Sequence, residues 1–272
     1  MFKVNNLNYK YEKNSLALSD INMDFDKGNV IGIIGSNGSG KSTLFMNLMG
    51  ILQPSSGSIL FKNQELKYTK KELYNLRKNV GIVFQDPEKQ IFYSRVYDDI
   101  AFSLRNIGVD EETIKKKIRE ALIAVNGLEF INKPVHFLSY GQKKRVAIAS
   151  VIAMENEIVL LDEPTAGLDP MSTKLIVDII KNLSNKGVKI VISSHDMNLI
   201  YEICDYVYVL NRGEVTDFGL TEDVFINEDK INKAGLELPW LVKLHKNMKL
   251  PLFREEGDLY KYWNNKSLHT SD

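Results

Sequence analysis

The stretch Gly35-Ser36-Asn37-Gly38-Ser39-Gly40-Lys41-Ser42-Thr43 constrains this chain most, because it completes the pattern of a phosphate-binding loop directly after an apolar run, Val30 to Ile34. A strand that ends in such a loop and passes into a helix belongs to a parallel α/β sheet. Glycines let consecutive backbone N–H groups turn inward around phosphate oxygens. Lys41 is long enough to reach β and γ phosphates, and the Ser42 hydroxyl suits Mg²⁺. Four fixed positions at ordinary glycine frequency recur by chance in roughly one chain of this length in a hundred, and the strand in front supplies the context the motif requires.

Three further apolar runs deliver polar residues in the same way. Ile158-Val159-Leu160-Leu161 ends in Asp162-Glu163, Val80 to Phe84 leads to Gln85, and Val188 to Ile192 leads through Ser193-Ser194 to His195. Nucleotide sites of parallel sheets lie at the carboxyl ends of the strands, so four strands are predicted to converge on one edge. Asp162 fits Mg²⁺ ligation, usually through water, and Glu163 fits a general base that polarises the attacking water. A lone histidine or glutamine after a strand is more often structural; the shared edge places His195 and Gln85 in the same site.

The rest of the chain arranges itself around these strands. Phe2 to Tyr11, Ile21 to Phe25 before Lys27-Gly28, and Ser58 to Phe61 after Pro54-Ser55-Ser56-Gly57 predict an antiparallel β layer. From about Leu73 to Gly127 the pattern is mainly helical, clearest where Asp110-Glu111-Glu112 opens a segment with Ile114, Ile118, Leu122 and Val125 on one face. After Met154 the order is strand, helix, strand, hence a parallel sheet. Past Phe218 an amphipathic stretch with Leu236, Leu238, Trp240, Leu241 and Leu244 predicts a small appendage, with a frayed end from about Asn264. The sequence contains no internal repeat and no low-complexity tract.

Composition excludes several classes. Lys plus Arg equals Asp plus Glu at 35 each, which removes the basic excess expected of a chain held by nucleic-acid phosphates. No apolar run reaches the roughly 18 to 20 residues a bilayer span needs, and the start lacks a signal-peptide core. The single cysteine, Cys204, cannot form an intrachain disulfide; its apolar neighbours predict a small buried side chain in a reducing compartment, the cytoplasm.

Leu138-Ser139-Tyr140-Gly141-Gln142, ahead of the Asp162-Glu163 strand, resembles the signature loop of the ATP-binding subunits of ABC transporters. The resemblance runs from about Val4 to Phe225. It implies the P-loop NTPase ABC ATPase fold, α/β in class, with an antiparallel β subdomain and a helical subdomain at about 88–153 inside a nucleotide-binding domain at 1–226. An appendage at 227–272 would assist dimerisation. ATP and Mg²⁺ are the implied ligands. Ala166-Gly167-Leu168-Asp169 becomes the D-loop, Gln85 the Q-loop residue at the metal, His195 the switch histidine, and Tyr11 the aromatic that stacks on adenine. In the family the signature loop opens a helix whose N–H groups meet the γ-phosphate held by the opposite subunit. Ser139, Gly141 and Gln142 would therefore serve ATP in trans, whereas Gly35 to Thr43, Gln85, Asp162, Glu163 and His195 act in cis. Hydrolysis then requires a second ATPase subunit, identical or paralogous.

Tyr140 departs from the family pattern, which has glycine there, so the backbone must manage without glycine's tolerance of positive φ. Lys143, Lys144 and Arg145 open the signature helix, where cations oppose the helix dipole; they read as a solvated basic face or as charges favouring a nearby triphosphate. Val83 to Phe92 and Lys144 to Ala149, with Pro239-Trp240, are similar to the energy-coupling-factor ATPases, especially the cobalt-import type. That narrower resemblance implies a transmembrane coupling protein and a substrate-binding membrane component as partners, a peripheral place on the cytoplasmic face of the cell membrane, and a docking groove lined by Ile91, Phe92 and Tyr97. Nickel, biotin, thiamine or another vitamin are alternative cargoes for the same architecture. From another class, a non-transport ABC ATPase acting on nucleic acid would carry a long coiled-coil insertion or two ATPase halves, and neither appears. A purely regulatory nucleotide binder is hard to reconcile with Lys41, Asp162, Glu163 and His195 all being present.

Overall fold

A computed structural model describes residues 1–11 and 15–268. Along the chain, β1 (Phe2–Lys10) and β2 (Leu16–Asp24) are followed by β3 (Val30–Ile34), which runs through the glycine-rich loop into α1 (Lys41–Leu48). Next come β4 (Ser56–Phe61), β5 (Gln64–Glu65), α2 (Lys70–Asn79) and β6 (Val80–Val83). Three helices occupy the middle of the chain, α3 (Val96–Asn106), α4 (Glu111–Ala124) and α5 (Tyr140–Ala153). Strands and helices then alternate as β7 (Ile158–Asp162), α6 (Pro170–Asn185), β8 (Lys189–Ser194), α7 (Met197–Ile203), β9 (Tyr206–Asn211) and β10 (Glu214–Leu220). The described chain closes with α8 (Thr221–Ile226), α9 (Glu228–Lys233), α10 (Trp240–Met248) and α11 (Glu256–Leu268).

Two sheets result. The predicted antiparallel layer has the order β2-β1-β4-β5, and a six-stranded sheet has the order β10-β9-β3-β8-β7-β6, in which only β10 pairs antiparallel. Every residue of β3 and β7 is buried, as in strands covered on both faces. Successive side chains of a strand point to opposite faces. Ile158 and Leu160 accordingly join one apolar core with α1 and the antiparallel sheet, while Val159 and Leu161 join the other with α3 to α7. Each fully buried aliphatic side chain contributes about 1.5–3 kcal/mol, so the sheet is anchored from both sides.

Register carries this into function. Val83 pairs with Leu161, Asp162 with Ser193, and Ile34 with Ser194. The carboxyl ends of β6, β7, β8 and β3 thus lie at one edge, as the sequence predicts. β8 runs two residues further than the apolar run, taking in Ser193 and Ser194, both with no exposed surface. β6 stops one residue early, at Val83, because a side chain takes over: the Gln90 amide donates to the Ile82 carbonyl at 3.1 Å and its oxygen accepts from the Phe84 N–H at 3.0 Å. That substitute for a strand partner sets the path of the chain into Gln85.

The helical middle follows its pattern. Asp110 caps α4 by accepting from the Thr113 N–H at 2.9 Å, and Ile114, Ile118, Leu122 and Val125 are wholly buried. At the start of α3, the buried Asp99 carboxylate accepts from the N–H groups of Phe92 and Tyr93 at 2.9 and 3.1 Å. The loop so held presents Phe92 with 80% of its surface exposed, whereas Ile91 and Tyr97, expected beside it in a groove, pack against the core. The exposed apolar neighbours are instead Tyr93 and Phe102, whose rings lie 5.5 Å apart.

The C-terminal segment is tied to the same core. Leu236, Leu238, Leu241 and Val242 are buried in it, and the Arg254 guanidinium donates to Glu222 at 2.8 Å and to the Cys204 carbonyl at 2.6 Å. Cys204 itself is buried, and burial pushes its thiol well above the ordinary range. The end expected to fray from about Asn264 is helical to Leu268, and its remainder lies outside the described residues. Among the described residues, no helix is long and apolar enough to cross a membrane.

Candidate nucleotide site

Between β3 and α1 the backbone takes a path that needs glycine. Gly38 and Gly40 have φ of +80° and +109°, and a Cβ on Gly35 would lie 2.3 Å from the Leu210 carbonyl oxygen. Inside this turn the Lys41 side chain is 7% exposed, its ammonium donating to the Gly35 carbonyl at 2.7 Å and the Ser36 carbonyl at 3.2 Å. Burial holds the ammonium's pKa below its ordinary value, and the negative charges of Glu163 and Asp162 work against that. The ammonium lies 3.9 Å from Glu163 Oε1.

At the end of β7, Asp162 and Glu163 are buried and separately held. The Ser193 hydroxyl donates to Asp162 Oδ1, and the Ser193 hydroxyl oxygen in turn accepts from the Glu163 N–H at 3.2 Å. Glu163 turns out of the strand with φ of +47°, an uncommon conformation for a non-glycine residue. Its Oε2 lies 2.7 Å from His195 Nδ1 and accepts from the His195 backbone N–H at 3.3 Å. One carboxylate oxygen is thereby fixed by His195 and the other faces Lys41. Among the described residues, no Asp, Glu, His or Cys cluster of three forms a self-contained metal site.

These groups share one cavity of about 450 Å³. Its wall takes in Tyr11, Asn37, Gly38, Ser39, Gly40, Lys41, Ser42, Thr43, Gln85, Asp162, Glu163 and His195, together with Ser15, Leu16 and Ala17 from the entry to β2. Gly35 and Ser36 stand behind it, with their carbonyls on Lys41. The buried Ser39 hydroxyl has no hydrogen-bond partner among the described residues, a group suited to an anionic ligand. Tyr11 stands at the rim with its hydroxyl 3.1 Å from Thr43 Oγ1. A triphosphate fits the donors of this loop. Mg²⁺ fits the set Ser42 hydroxyl, Asp162 carboxylate and Gln85 amide, all of them oxygen donors.

The signature residues lie outside this cavity. Ser139 caps α5 in a reciprocal box with Gln142: its N–H donates to the Gln142 amide oxygen at 2.9 Å, and its hydroxyl accepts from the Gln142 N–H at 3.3 Å. Gly141 lies near Leu168 and Ser172. Tyr140 is the first residue of α5 and is not among the positive-φ positions, so the missing glycine creates no backbone conflict.

The basic run opening α5 is not a solvated face. Lys143 pairs with Glu88 at 2.5 Å, and Arg145 donates to the carbonyls of Val125 and Asn126. Lys144 has no exposed surface, and its ammonium donates to the carbonyls of Phe84, Gln85 and Glu163. Burial pulls its pKa down to about 8, opposed by the charges of Asp162, Glu163 and Asp86.

The sequence pattern marks neither Ser193 nor Gln90 as part of the site, and it marks Lys144 only as one cation of a basic run. For Ser193 a signal existed, a hydroxyl pair at the end of a predicted strand facing a predicted carboxylate strand. Ser193→Ala leaves a buried Asp162 oxygen without its donor, and the expected loss is about 1–3 kcal/mol of stability, read from the denaturant midpoint. An unchanged midpoint would assign that bond no structural weight.

Comparison with known proteins agrees with the geometry. The sequence model described as "ABC transporter" matches residues 18–166. The cobalt import ATP-binding protein CbiO of Salmonella typhimurium is 46% identical over 260 residues, covering 96% of each chain. The energy-coupling factor transporter ATP-binding protein EcfA of Methanococcus maripaludis is 43% identical over 244 residues, covering 90% of this chain and 88% of its own. Among solved structures, cbiO1 from Clostridium perfringens, titled as part of the ABC transporter complex cbiONQ, superposes with a TM-score of 0.76 at 43% identity. It covers 90% of this chain and 98% of that one.

Proposed function

Since the chain belongs to the ABC transporter family as an ATP-binding subunit of energy-coupling-factor type, we propose that it powers a membrane importer whose cargo is cobalt ions. As an ABC ATPase it converts ATP and water to ADP and phosphate, coupled to transport. The observation that carries the fuller reading is the single cavity that gathers Lys41, Gln85, Asp162, Glu163 and His195 while Ser139, Gly141 and Gln142 stand outside it.

The roles follow from chemistry. Backbone N–H groups of the glycine-rich loop and the Lys41 ammonium bind the phosphates and stabilise charge that develops on them in the transition state. Glu163 accepts a proton from the attacking water, its carboxylate aimed by His195. Mg²⁺, held by Ser42, Asp162 and Gln85, neutralises phosphate charge when bound. Tyr11 at the rim offers a ring for adenine. Ser139, Gly141 and Gln142 at the start of α5 meet the nucleotide bound by a second ATPase subunit, so the active unit is a dimer, identical or paralogous.

For cargo, similarity to a cobalt import protein favours cobalt, and similarity to an EcfA protein supports a second reading, a nickel or vitamin importer driven by the same module. The partners are a transmembrane coupling protein and a substrate-binding membrane component, with this chain peripheral at the cytoplasmic face. Exposed Phe92, with Tyr93 and Phe102 beside it, is the docking surface for the coupling protein.

Co-purification from membranes tests the reading. The intact chain is expected to bring down integral membrane partners, and Phe92→Asp to lose them while keeping its nucleotide affinity. Retention of the partners by Phe92→Asp would remove that docking surface, and a chain recovered free of any membrane protein would contradict the importer reading.

A further inference from the structure

One carbonyl beside the site receives two donors from the signature helix. The Tyr140 hydroxyl donates to the Gln85 carbonyl at 3.0 Å, and the Lys144 ammonium, one turn along α5, donates to the same oxygen. Lys144 continues to the Phe84 carbonyl at 3.4 Å and the Glu163 carbonyl at 3.2 Å. A buried ammonium is costly unless its donors are met, and here the three protons of Lys144 have three main-chain carbonyls to bind. The Tyr140 ring also lies against the next loop, since a Cβ on Gly167 would stand 3.3 Å from its Cε1.

These contacts span residues that the paired-ATPase reading assigns to different half-sites. Gln85 and Glu163 belong to the cavity of this chain, whereas Ser139 and Gly141 flank Tyr140 and face the partner's nucleotide. A glycine at position 140 would leave the Gln85 carbonyl to Lys144 alone. A tyrosine there turns the first turn of α5 and the Gln85 loop into one fastened piece.

We propose that Tyr140 and Lys144 are positioning residues, a two-point clamp on the Gln85 carbonyl that makes the Gln85 loop of one half-site and the signature turn offered to the other move together. The clamp lets nucleotide in the cis cavity set the placement of Ser139 and Gly141 for the partner. Lys144 does more than Tyr140, because its ammonium also fixes the peptide of Glu163, the proposed base. The inference rests on the paired-ATPase reading.

Tyr140→Phe keeps the ring and removes only the hydroxyl, so it folds as the parent does. In the purified transporter assembly the KM for ATP is expected to rise about three- to tenfold, the scale of one neutral hydrogen bond, with kcat falling less than twofold. MgATP affinity of the isolated chain is expected to stay unchanged, because Tyr140 lies outside the cavity. A purely structural role would instead lower the unfolding midpoint and leave KM in place. Lys144→Met is expected to lower kcat as well, on the order of tenfold or more, as the lower limit of what a misplaced general base costs is larger still.

An unchanged KM in Tyr140→Phe overturns the clamp, as does a parallel loss of MgATP affinity in the isolated chain, which would make Tyr140 a cis binding residue. The underlying reading fails separately and visibly. If Ser139→Arg, which blocks the signature turn, leaves turnover of the assembly intact, no nucleotide is served in trans and the clamp falls with it.

Discussion

Lys41→Ala is expected to remove nearly all ATP turnover, with kcat/KM falling on the order of 10²–10³-fold or more, the loss seen when one preorganised transition-state donor is deleted. The reason is visible in the loop. Lys41 is buried, fixed by two carbonyls and placed 3.9 Å from Glu163, and among the described residues it is the one lysine or arginine on the cavity wall. Nucleotide affinity is expected to weaken in the same variant, because the proposed role of the ammonium covers ground state and transition state alike. Steady-state hydrolysis across a wide range of ATP concentration checks this, and turnover within threefold of the intact chain would overturn the site assignment.

Glu163→Gln is expected to separate binding from chemistry. The amide keeps the shape of the carboxylate but cannot take a proton from water, so kcat falls by about 10²–10⁴-fold, the range attributed to a positioned general base. ATP still binds, and because the pair cannot complete hydrolysis it accumulates as a closed dimer. Size-exclusion chromatography with MgATP reads the dimer, and single-turnover kinetics reads the chemistry. His195 holds Glu163 Oε2 at 2.7 Å, so His195→Ala is expected to show a smaller loss of the same kind. Unchanged turnover in Glu163→Gln would reject Glu163 as the base.

Much of this site was legible because its parts are local in sequence. The glycine-rich loop, the carboxylates after Leu161 and the histidine after Ser194 each sit at the end of an apolar run, and parallel pairing brings such ends to one edge whatever the intervening segments do. The antiparallel layer and the Asp110 cap were legible for the same reason. What escaped depends on contacts between distant segments. Lys144 reads as one cation in a basic run, and only the packing of α5 against β6 and β7 shows it buried on carbonyls 60, 59 and 19 residues away in sequence. Gln90 reads as a loop residue until its amide is seen completing the edge of β6. Ile91 and Tyr97 read as interface because apolar spacing does not distinguish a core face from a docking face; Phe92 alone of the three is widely exposed.

Import itself is measured most directly by uptake of labelled Co²⁺ under metal limitation, in cells lacking this chain and supplied with either the intact sequence or Lys41→Ala. Uptake restored by the intact chain and not by Lys41→Ala is the predicted result. Uptake that is equal with both, or that never falls when the chain is removed, would contradict ATP-driven cobalt import by this protein.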